Sequence, residues 1–309
     1  MLKFLPAWAD ATVTRTRDAA VLDTLDMVVD VGAVYDASKN RFDHHQRGFD
    51  EVLAPFKTKL SSAGLVYKHF GRDVLANILD EDAQAHMDKV YHKVYQSFVE
   101  GIDGIDNGVN QYDTDLPPRY SVKTDLSSRV AGLNPSWNDE NQDTEAGFAK
   151  AIEMVRAEFL DSVNYFAKSW LPARKVVEAA AAARTDVHES GRIIELSRFC
   201  PWKEHLFDIE DDMGIDTPIY YALFADSAGS WRVCAVPASR TAKFENRLPL
   251  PEAWRGVRDD ALSQLTGIDG CIFVHASGFI GGAKTREGAL ALASQAVEMA
   301  GNKRAKMDE

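Results

Sequence analysis

Two adjacent histidines and two aspartates near the start of the chain have the side chains that form divalent-metal sites. Asp43 stands directly before His44 and His45, and Asp30 ends a short apolar run thirteen positions before Asp43. Carboxylate oxygens and neutral imidazole nitrogens bind manganese, zinc and iron in proteins. An ion held by such side chains, or a pair of ions about 3.5–4 Å apart, can activate a water molecule to attack a phosphodiester. The pattern therefore points to a metal-dependent hydrolase.

A further carboxylate is expected from the helix that apolar periodicity predicts over residues 81–108. Glu100, Asp103, Asp106 and Asn107 recur there at helical spacing, which predicts an acidic stripe beside the apolar face of that helix. Asp106 is the member of the stripe that we expect at the metal.

The predicted roles follow from what each side chain can do. Asp30, His44 and Asp106 are predicted metal ligands. Within the predicted catalytic string, Asp43 can orient an imidazole by accepting its ring N–H, and His45 can act beside the ligands or on the transition state. Ordinary alternatives stay open: paired histidines often lie in a solvated turn, an aspartate after a strand can cap a turn, and an acidic stripe is usually a solvated helix face.

The elements around these residues predict an α/β domain. A buried strand over residues 26–31 places Asp30 at its carboxyl end, where open α/β sheets bind ligands. Ser61 is the expected N-cap of a helix that ends before Gly71. Further predictions are a strand over 11–17, a loop over 113–142, and helices over 145–168 and from Pro172 onward.

After residue 190 the pattern changes to a second, smaller α/β domain. The predicted strands cover 192–196, 219–225, 231–237 and 270–275, and a glycine-rich turn over 277–282 and a helix over 285–300 follow them. A glycine-rich turn between a strand and a helix can bind phosphate, and a plain tight turn is the alternative. We predict domain boundaries at 1–142, 143–190 (a helical connection) and 191–309.

Composition limits the classes of partner. A net charge of −12 disfavours a protein that coats nucleic acid by bulk electrostatics, and it favours short substrates. Cys200, Cys234 and Cys271 form no CxxC pair, which indicates buried thiols and a reducing compartment. Because no apolar run approaches the ~20 residues of a membrane span, we expect an intracellular protein without membrane partners. Cytoplasm, nucleus and mitochondrion are not distinguished, and neither is the oligomeric state.

Long strings of the chain resemble the melanocyte-proliferating-gene (Myg) family, which is related to the DHH phosphoesterases. The resemblance runs from about residue 10 to residue 300 and is carried by strings such as VVDVGAVYDASKNRFDHHQRGF, FVEGIDGIDNGVNQY and GIDGCIFVHASGFIGG. It implies a DHH-like parallel-sheet catalytic domain followed by a DHH-associated α/β substrate domain. It also implies a divalent metal, Mn²⁺ or Mg²⁺, and 3′-to-5′ exonuclease activity on RNA in RNA processing.

The resemblance also implies roles by position. Asp30 matches the acidic ligand of the family's second motif, Asp43-His44-His45 matches its signature, and Asp106 matches the ligand of its fourth motif, with Asp103 as the alternative. The segment that matches the family's substrate-binding glycines contributes His275, Ser277, Gly278, Gly281 and Gly282.

One motif of the family is expected before Met1. That segment, Thr-His-(Asn/Asp)-Gly…Phe-His-Cys-Asp-Glu, contributes a histidine and acidic ligands, and the sequence MLKFLP resembles the helix tail that follows it. We therefore expect weak or no activity from the chain as given. Two other hypotheses remain: a hydrolase of short oligonucleotides or small phosphoesters, and a non-catalytic binding or regulatory protein.

Overall fold

The protein consists of two α/β units, Met1–Lys168 and Ser169–Glu309. A computed structural model describes residues 1–242 and 244–305. Each unit combines helices with a mixed β-sheet, which confirms the predicted α/β class.

The first unit has three short strands and a set of mostly short helices. Its strands are β1 (Val28–Val29), β2 (Tyr35–Asp36) and β3 (Arg41–Phe42), and its helices are α1 (Ala19–Leu22), α2 (Ser62–Ala76), α3 (Glu81–Gln84), α4 (Met87–Val94), α5 (Glu100–Asp106), α6 (Leu126–Ala131) and α7 (Thr144–Tyr165). A π-helical turn, Tyr95–Val99, joins α4 to α5.

The small sheet brings Asp30 and the Asp-His-His string to one edge. Its order is β1-β3-β2, with β1 parallel and β2 antiparallel to β3. Asp30 follows β1 and Asp43 follows β3, so both leave parallel strands at their carboxyl ends. The N–H of Asp30 donates to the Phe42 carbonyl at 3.1 Å and extends the pairing to that edge.

A buried carboxylate joins α2 to α5. The Ser61 hydroxyl caps α2 by accepting from the N–H groups of Ala63 and Gly64, as the sequence predicted. Asp103, fully buried on α5, accepts hydrogen bonds from the Ser61 N–H at 2.9 Å, the Ser61 hydroxyl at 2.7 Å and the Tyr95 hydroxyl at 2.9 Å. These bonds set the position of α5, and with it that of Asp106, relative to α2.

Several predicted elements of this unit differ from the structure. The alternation over 11–17 predicted a strand, but these residues pair with no strand and their side chains are mostly exposed. The α2 helix continues past Gly71 to Ala76. The single helix predicted over 81–108 is divided into α3, α4, the π-helical turn and α5, and the loop predicted over 113–142 contains α6.

The second unit is a five-stranded sheet covered by helices. Its strands are β4 (Ile193–Glu195), β5 (Tyr221–Ala225), β6 (Trp231–Ala235), β7 (Cys271–Val274) and β8 (Ile280–Ala283), and its helices are α8 (Leu171–Ala182), α9 (Arg184–Val187), α10 (Lys203–Met213), α11 (Asp259–Thr266) and α12 (Arg286–Ala305). The order is β4-β5-β6-β8-β7, and β4 and β5 are its parallel pair.

Alternate strand residues pack into cores on the two faces of this sheet. Ile193 packs with Leu262 of α11 and Leu292 of α12 in one core. Its neighbour Ile194 packs with Leu206 of α10 in the other core, which also includes α8 residues. Successive side chains of a strand point to opposite faces, so nearly every residue of these strands is apolar.

One correction concerns the glycine-rich stretch of this unit. The stretch 277–282 was predicted as a turn, but Gly281 and Gly282 lie inside β8, where they pair with β6. The helices predicted to connect two domains fall one in each unit, α7 in the first and α8 in the second. The three-part division at 142/143 and 190/191 stays a prediction. No helix among the described residues is long and apolar enough to cross a membrane.

Substitution of Gly64 by alanine should destabilise the first unit. A Cβ at Gly64 would overlap the carboxyl group of buried Asp103, so we expect the free energy of unfolding to fall by about 1–3 kcal/mol. Gly101 offers a matched control, because a Cβ on this exposed position of α5 meets nothing within 4 Å. Gly101→Ala should be neutral or stabilise by up to about 1 kcal/mol. Urea unfolding of both variants measures the difference, and equal effects would contradict the packing.

Candidate metal centre and second-unit pocket

His44 points a ring nitrogen at two carboxylates. Its side chain is 5% exposed, and Nε2 lies 3.2 Å from Asp106 Oδ2 and 3.8 Å from Asp30 Oδ1. This Nε2 is buried and has no hydrogen-bond partner among the described residues, because the nearby carboxylates are not aligned to pair with it. A buried polar atom without a partner costs free energy. A bound cation between the nitrogen and the carboxylates would remove that cost.

His45 belongs to the same cluster. One ligand atom each from Asp30, His44 and His45 lie within 4.8 Å of one another, and the two imidazole rings are 4.1 Å apart. His45 was expected beside the ligands rather than among them. The structure makes it an additional potential ligand, because its side chain is exposed and close to Asp30.

Asp43 accepts hydrogen bonds from His45 and from the turn that carries Asp30. Its side chain is 2% exposed, and Oδ1 lies 2.6 Å from His45 Nδ1 and accepts the His45 backbone N–H at 3.0 Å. Its Oδ2 accepts the Ala33 N–H at 2.6 Å. Burial raises the pKa of Asp43, but the hydrogen bonds from His45 and Ala33 outweigh it, and the pKa lies below its usual value. Since an ionised carboxylate only accepts, His45 Nδ1 carries the proton and Nε2 is left with its lone pair.

The turn after β1 has strained backbone where it carries Asp30. Asp30 and Ala33 have φ values of 68° and 53°, in the left-handed region that non-glycine residues seldom adopt, and Gly32 between them has φ 93°. Such conformations persist when surrounding bonds hold them. Here the bonds are the Asp30 N–H to the Phe42 carbonyl and Asp43 to the Ala33 N–H.

The two aspartates of α5 that were candidate ligands have different environments in the structure. Asp106 is about half exposed and contacts His44. Asp103 faces inward, its oxygens bonded to Ser61 and Tyr95, and none of its described contacts involves His44 or His45. Burial raises the pKa of Asp103, and the bonds from Ser61 and Tyr95 oppose that rise. The residues predicted to form one acidic stripe therefore lie on two faces of α5 rather than on a single face.

The donors brought together fit a divalent transition metal. Asp30, His44 and His45 each offer a ligand atom within one small cluster, and Asp106 adds a carboxylate 3.2 Å from the unpaired Nε2 of His44. Carboxylates bind both Mg²⁺ and transition metals, whereas imidazoles suit transition metals better than Mg²⁺.

In the second unit, the predicted substrate-binding residues divide into an exposed turn and a buried strand. His275 and Ser277 are exposed and share a hydrogen bond, Nδ1 to Oγ at 2.9 Å, and Gly278 turns the chain with φ 73°. Gly281 and Gly282 are buried in β8, where a Cβ would meet Leu250 or Arg232, respectively, closer than real Cβ contacts allow. Close packing within the sheet therefore explains why both positions are glycine. Their role in substrate binding stays a prediction.

A cavity of about 410 Å³ opens beside this turn. Sequence reasoning missed most of it, because its walls come from α10, the loop after β6 and the turn after β7. Its lining combines aromatic rings with polar and charged side chains, among them Lys203, Phe207, Arg240, Phe244, Ser277 and Phe279.

The aromatic rings at this cavity differ in how open they are. The Phe207 ring has the guanidinium groups of Arg240 and Arg247 over it. Phe244 and Phe279 are 92% and 36% exposed. They provide apolar ring surface in the same cavity as Lys203.

His205, near this cavity in the sequence, is a buried structural residue. Its side chain is 1% exposed, and Nε2 donates to the Trp170 carbonyl at 2.8 Å. Burial lowers the pKa of His205, which keeps the imidazole neutral.

Replacing Asp43 by asparagine should loosen the Asp30 turn and His45 together. The amide of asparagine can accept through only one of its two terminal atoms, so either the Ala33 N–H or the His45 side of Asp43 loses its acceptor. We expect a loss of about 1–3 kcal/mol in the free energy of unfolding at pH 7. Asp50→Asn, at an exposed aspartate of the same segment, is the control and should change little.

The same variant has a defined pH dependence. The contribution of a carboxylate with a lowered pKa is present above the unfolded value and is lost as pH falls through the folded value. The stability difference between wild type and Asp43→Asn should therefore shrink below about pH 4. Unfolding curves between pH 3 and pH 7 measure it, and a pH-independent difference would refute the assignment.

Known proteins match the chain over most of its length. The uncharacterised protein family UPF0160 matches residues 1–297. A mouse protein named MYG1 exonuclease is 51% identical over 301 residues, which cover 95% of this chain and 79% of that protein. A Caenorhabditis elegans MYG1 protein is 51% identical over 308 residues, covering 97% and 90%, and a Saccharomyces cerevisiae MYG1 protein is 44% identical over 306 residues, covering 96% and 90%. No solved structure gives a significant match. These matches confirm the resemblance seen in the sequence: the chain belongs to the MYG1 family, UPF0160.

Proposed function

We propose that this chain is a metal-dependent phosphodiester hydrolase, a 3′-to-5′ exoribonuclease that acts in RNA processing. In this proposal the first unit is a DHH-like catalytic domain and the second a DHH-associated substrate domain. The carrying observation is the buried Nε2 of His44, which lacks a hydrogen-bond partner among the described residues and faces Asp30 and Asp106. The mouse and human relatives are named MYG1 exonuclease, which supports the reaction class.

The proposed division of work follows the geometry. Asp30, His44, His45 and Asp106 would hold a divalent ion, Mn²⁺ in preference to Mg²⁺. When bound, the ion supplies a lowered pKa for water and positive charge next to the phosphate oxygens. Asp43 holds His45 with Nε2 outward, so that the lone pair of this atom is available to bind the ion. Hydrolysis then joins a water oxygen to phosphorus, breaks the P–O3′ bond and returns a proton to O3′.

We expect slow hydrolysis. The four side chains supply donors for one ion, whereas a pair of ions would stabilise both the attacking and the leaving oxygen. The net charge of −12 and the small cavity of the second unit favour short oligonucleotides over long RNA.

Metal binding and RNA hydrolysis test this proposal together. Calorimetry should show one Mn²⁺ per chain, with binding lost in His44→Ala. Excess protein should then shorten a 5′-labelled RNA from its 3′ end one nucleotide at a time, only with Mn²⁺, and faster on a 5-mer than on a 20-mer. Hydrolysis that persists in chelator, or that starts from the 5′ end, would contradict the proposal. Metal binding without any hydrolysis would favour the binding or regulatory hypothesis.

The second-unit cavity should bind the base of a nucleotide. Base–aromatic stacking contributes about 1–3 kcal/mol, so Phe279→Ala should weaken binding of a fluorescent RNA 3-mer by about 5- to 150-fold. Phe199→Ala is the control, because Phe199 is 65% exposed but does not line the cavity. The titration is done in chelator, so that it reports binding alone. Equal affinity of both variants for the RNA would contradict a role of this cavity in substrate binding.

A further inference from the structure

Asn107 lies behind His44, on the side opposite the carboxylates. It caps the C-terminus of α5, and its Oδ1 is 3.2 Å from His44 Nδ1. Its Nδ2 donates to two backbone carbonyls, that of Lys59 at 3.0 Å and that of Asp103 at 2.9 Å. The side chain of Asn107 and all three of its contacts are partly buried.

The two carbonyls determine which way the amide faces. A carbonyl oxygen only accepts, so the two atoms that contact Lys59 O and Asp103 O must both be N–H hydrogens of Asn107. Rotating the amide by half a turn would place Oδ1 against two oxygens. Oδ1 therefore faces His44, and it too can only accept. His44 Nδ1 consequently carries a proton.

The proton on Nδ1 leaves Nε2 with a lone pair. A neutral imidazole has a single ring proton, and Nε2 is the atom that faces Asp106 and Asp30 without a hydrogen-bond partner among the described residues. A lone pair facing carboxylate oxygens is repelled by them until a cation lies between. In the other tautomer, the proton on Nε2 would lie on the side of the ring where the ion should bind.

We propose that Asn107 is a positioning residue that holds His44 in the Nδ1–H tautomer and so keeps Nε2 available as a ligand. The proposal rests on the metal centre proposed above. Asn107 is anchored by two elements: its own helix through Asp103, and the segment before α2 through Lys59. Through these bonds, the position of α5 determines the orientation of the His44 ring.

The tautomer is measured first, without metal. Nitrogen-15 spectra of histidine-labelled, metal-free protein at pH 8, with His44 assigned through His44→Gln, should show the proton on Nδ1. Asn107→Ala removes the acceptor and should shift His44 to the Nε2–H form. Asn107→Asp keeps an acceptor oxygen but loses both donors, and it should retain Nδ1–H.

Mn²⁺ affinity is measured next. Loss of an outer partner of a metal-binding histidine typically weakens binding 10- to 100-fold, and we expect that loss for Asn107→Ala by calorimetry. Asn77→Ala is the matched control: Asn77 caps α2, and its Nδ2 donates to the Asp73 carbonyl at 2.7 Å, with no histidine behind it. It should destabilise the protein to a similar extent without changing the His44 tautomer or the Mn²⁺ affinity.

The outcomes separate the two proposals. A wild-type His44 protonated on Nε2, or Asn107→Ala with tautomer and affinity unchanged, would overturn the role of Asn107. Equal loss of Mn²⁺ affinity in Asn77→Ala and Asn107→Ala would reduce it to helix capping and also overturn it. A wild type with Nδ1–H that binds no Mn²⁺ would instead refute the metal centre, and with it the reason for the tautomer.

Discussion

The hydrogen bonds between buried Asp103, Ser61 and Tyr95 determine how the first unit places its candidate metal centre. Asp103 holds the beginning of α2 against α5. Asp106 and Asn107 follow on the same helix, one beside Nε2 of His44 and the other beside Nδ1. The His44 ring is therefore held between two neighbours in sequence that depend on one buried carboxylate. An isolated buried charge is costly, so this arrangement depends on all three donors being present.

The two histidines are both held at Nδ1, but by two different side chains. Behind His45 stands the carboxylate of Asp43, and behind His44 stands the amide of Asn107. Each accepts at Nδ1, so both rings present Nε2. A neutral amide adds no charge next to a cation, whereas a carboxylate adds one. The centre thus gains only one negative charge from behind its imidazoles, and Asp30 and Asp106 supply the rest.

Residue type and spacing were sufficient to predict the cluster but not its supporting contacts. Asp30 and the Asp-His-His string could be predicted because parallel strands end at one edge of a sheet. Asp106 was the expected ligand and Asp103 the alternative, but the burial of Asp103 could not be predicted, because it depends on contacts with Ser61 and Tyr95. The strand predicted over 11–17 failed because alternation does not provide a partner strand. The cavity beside Phe279 escaped because its walls come from separate segments.

The π-helical turn Tyr95–Val99 bears on how the length of this chain can vary among relatives. A π-turn holds one more residue than an α-turn over the same rise, so a deletion there can be absorbed by converting it to α-helix. The segment from Asp103 to Asn107 contains no π-turn, so it has no extra residue that could be lost in this way. Losing one residue there would turn the following side chains by about 100° and take Asp106 away from His44. Insertions and deletions among homologues should therefore be tolerated before Glu100 and rare from Asp103 to Asn107.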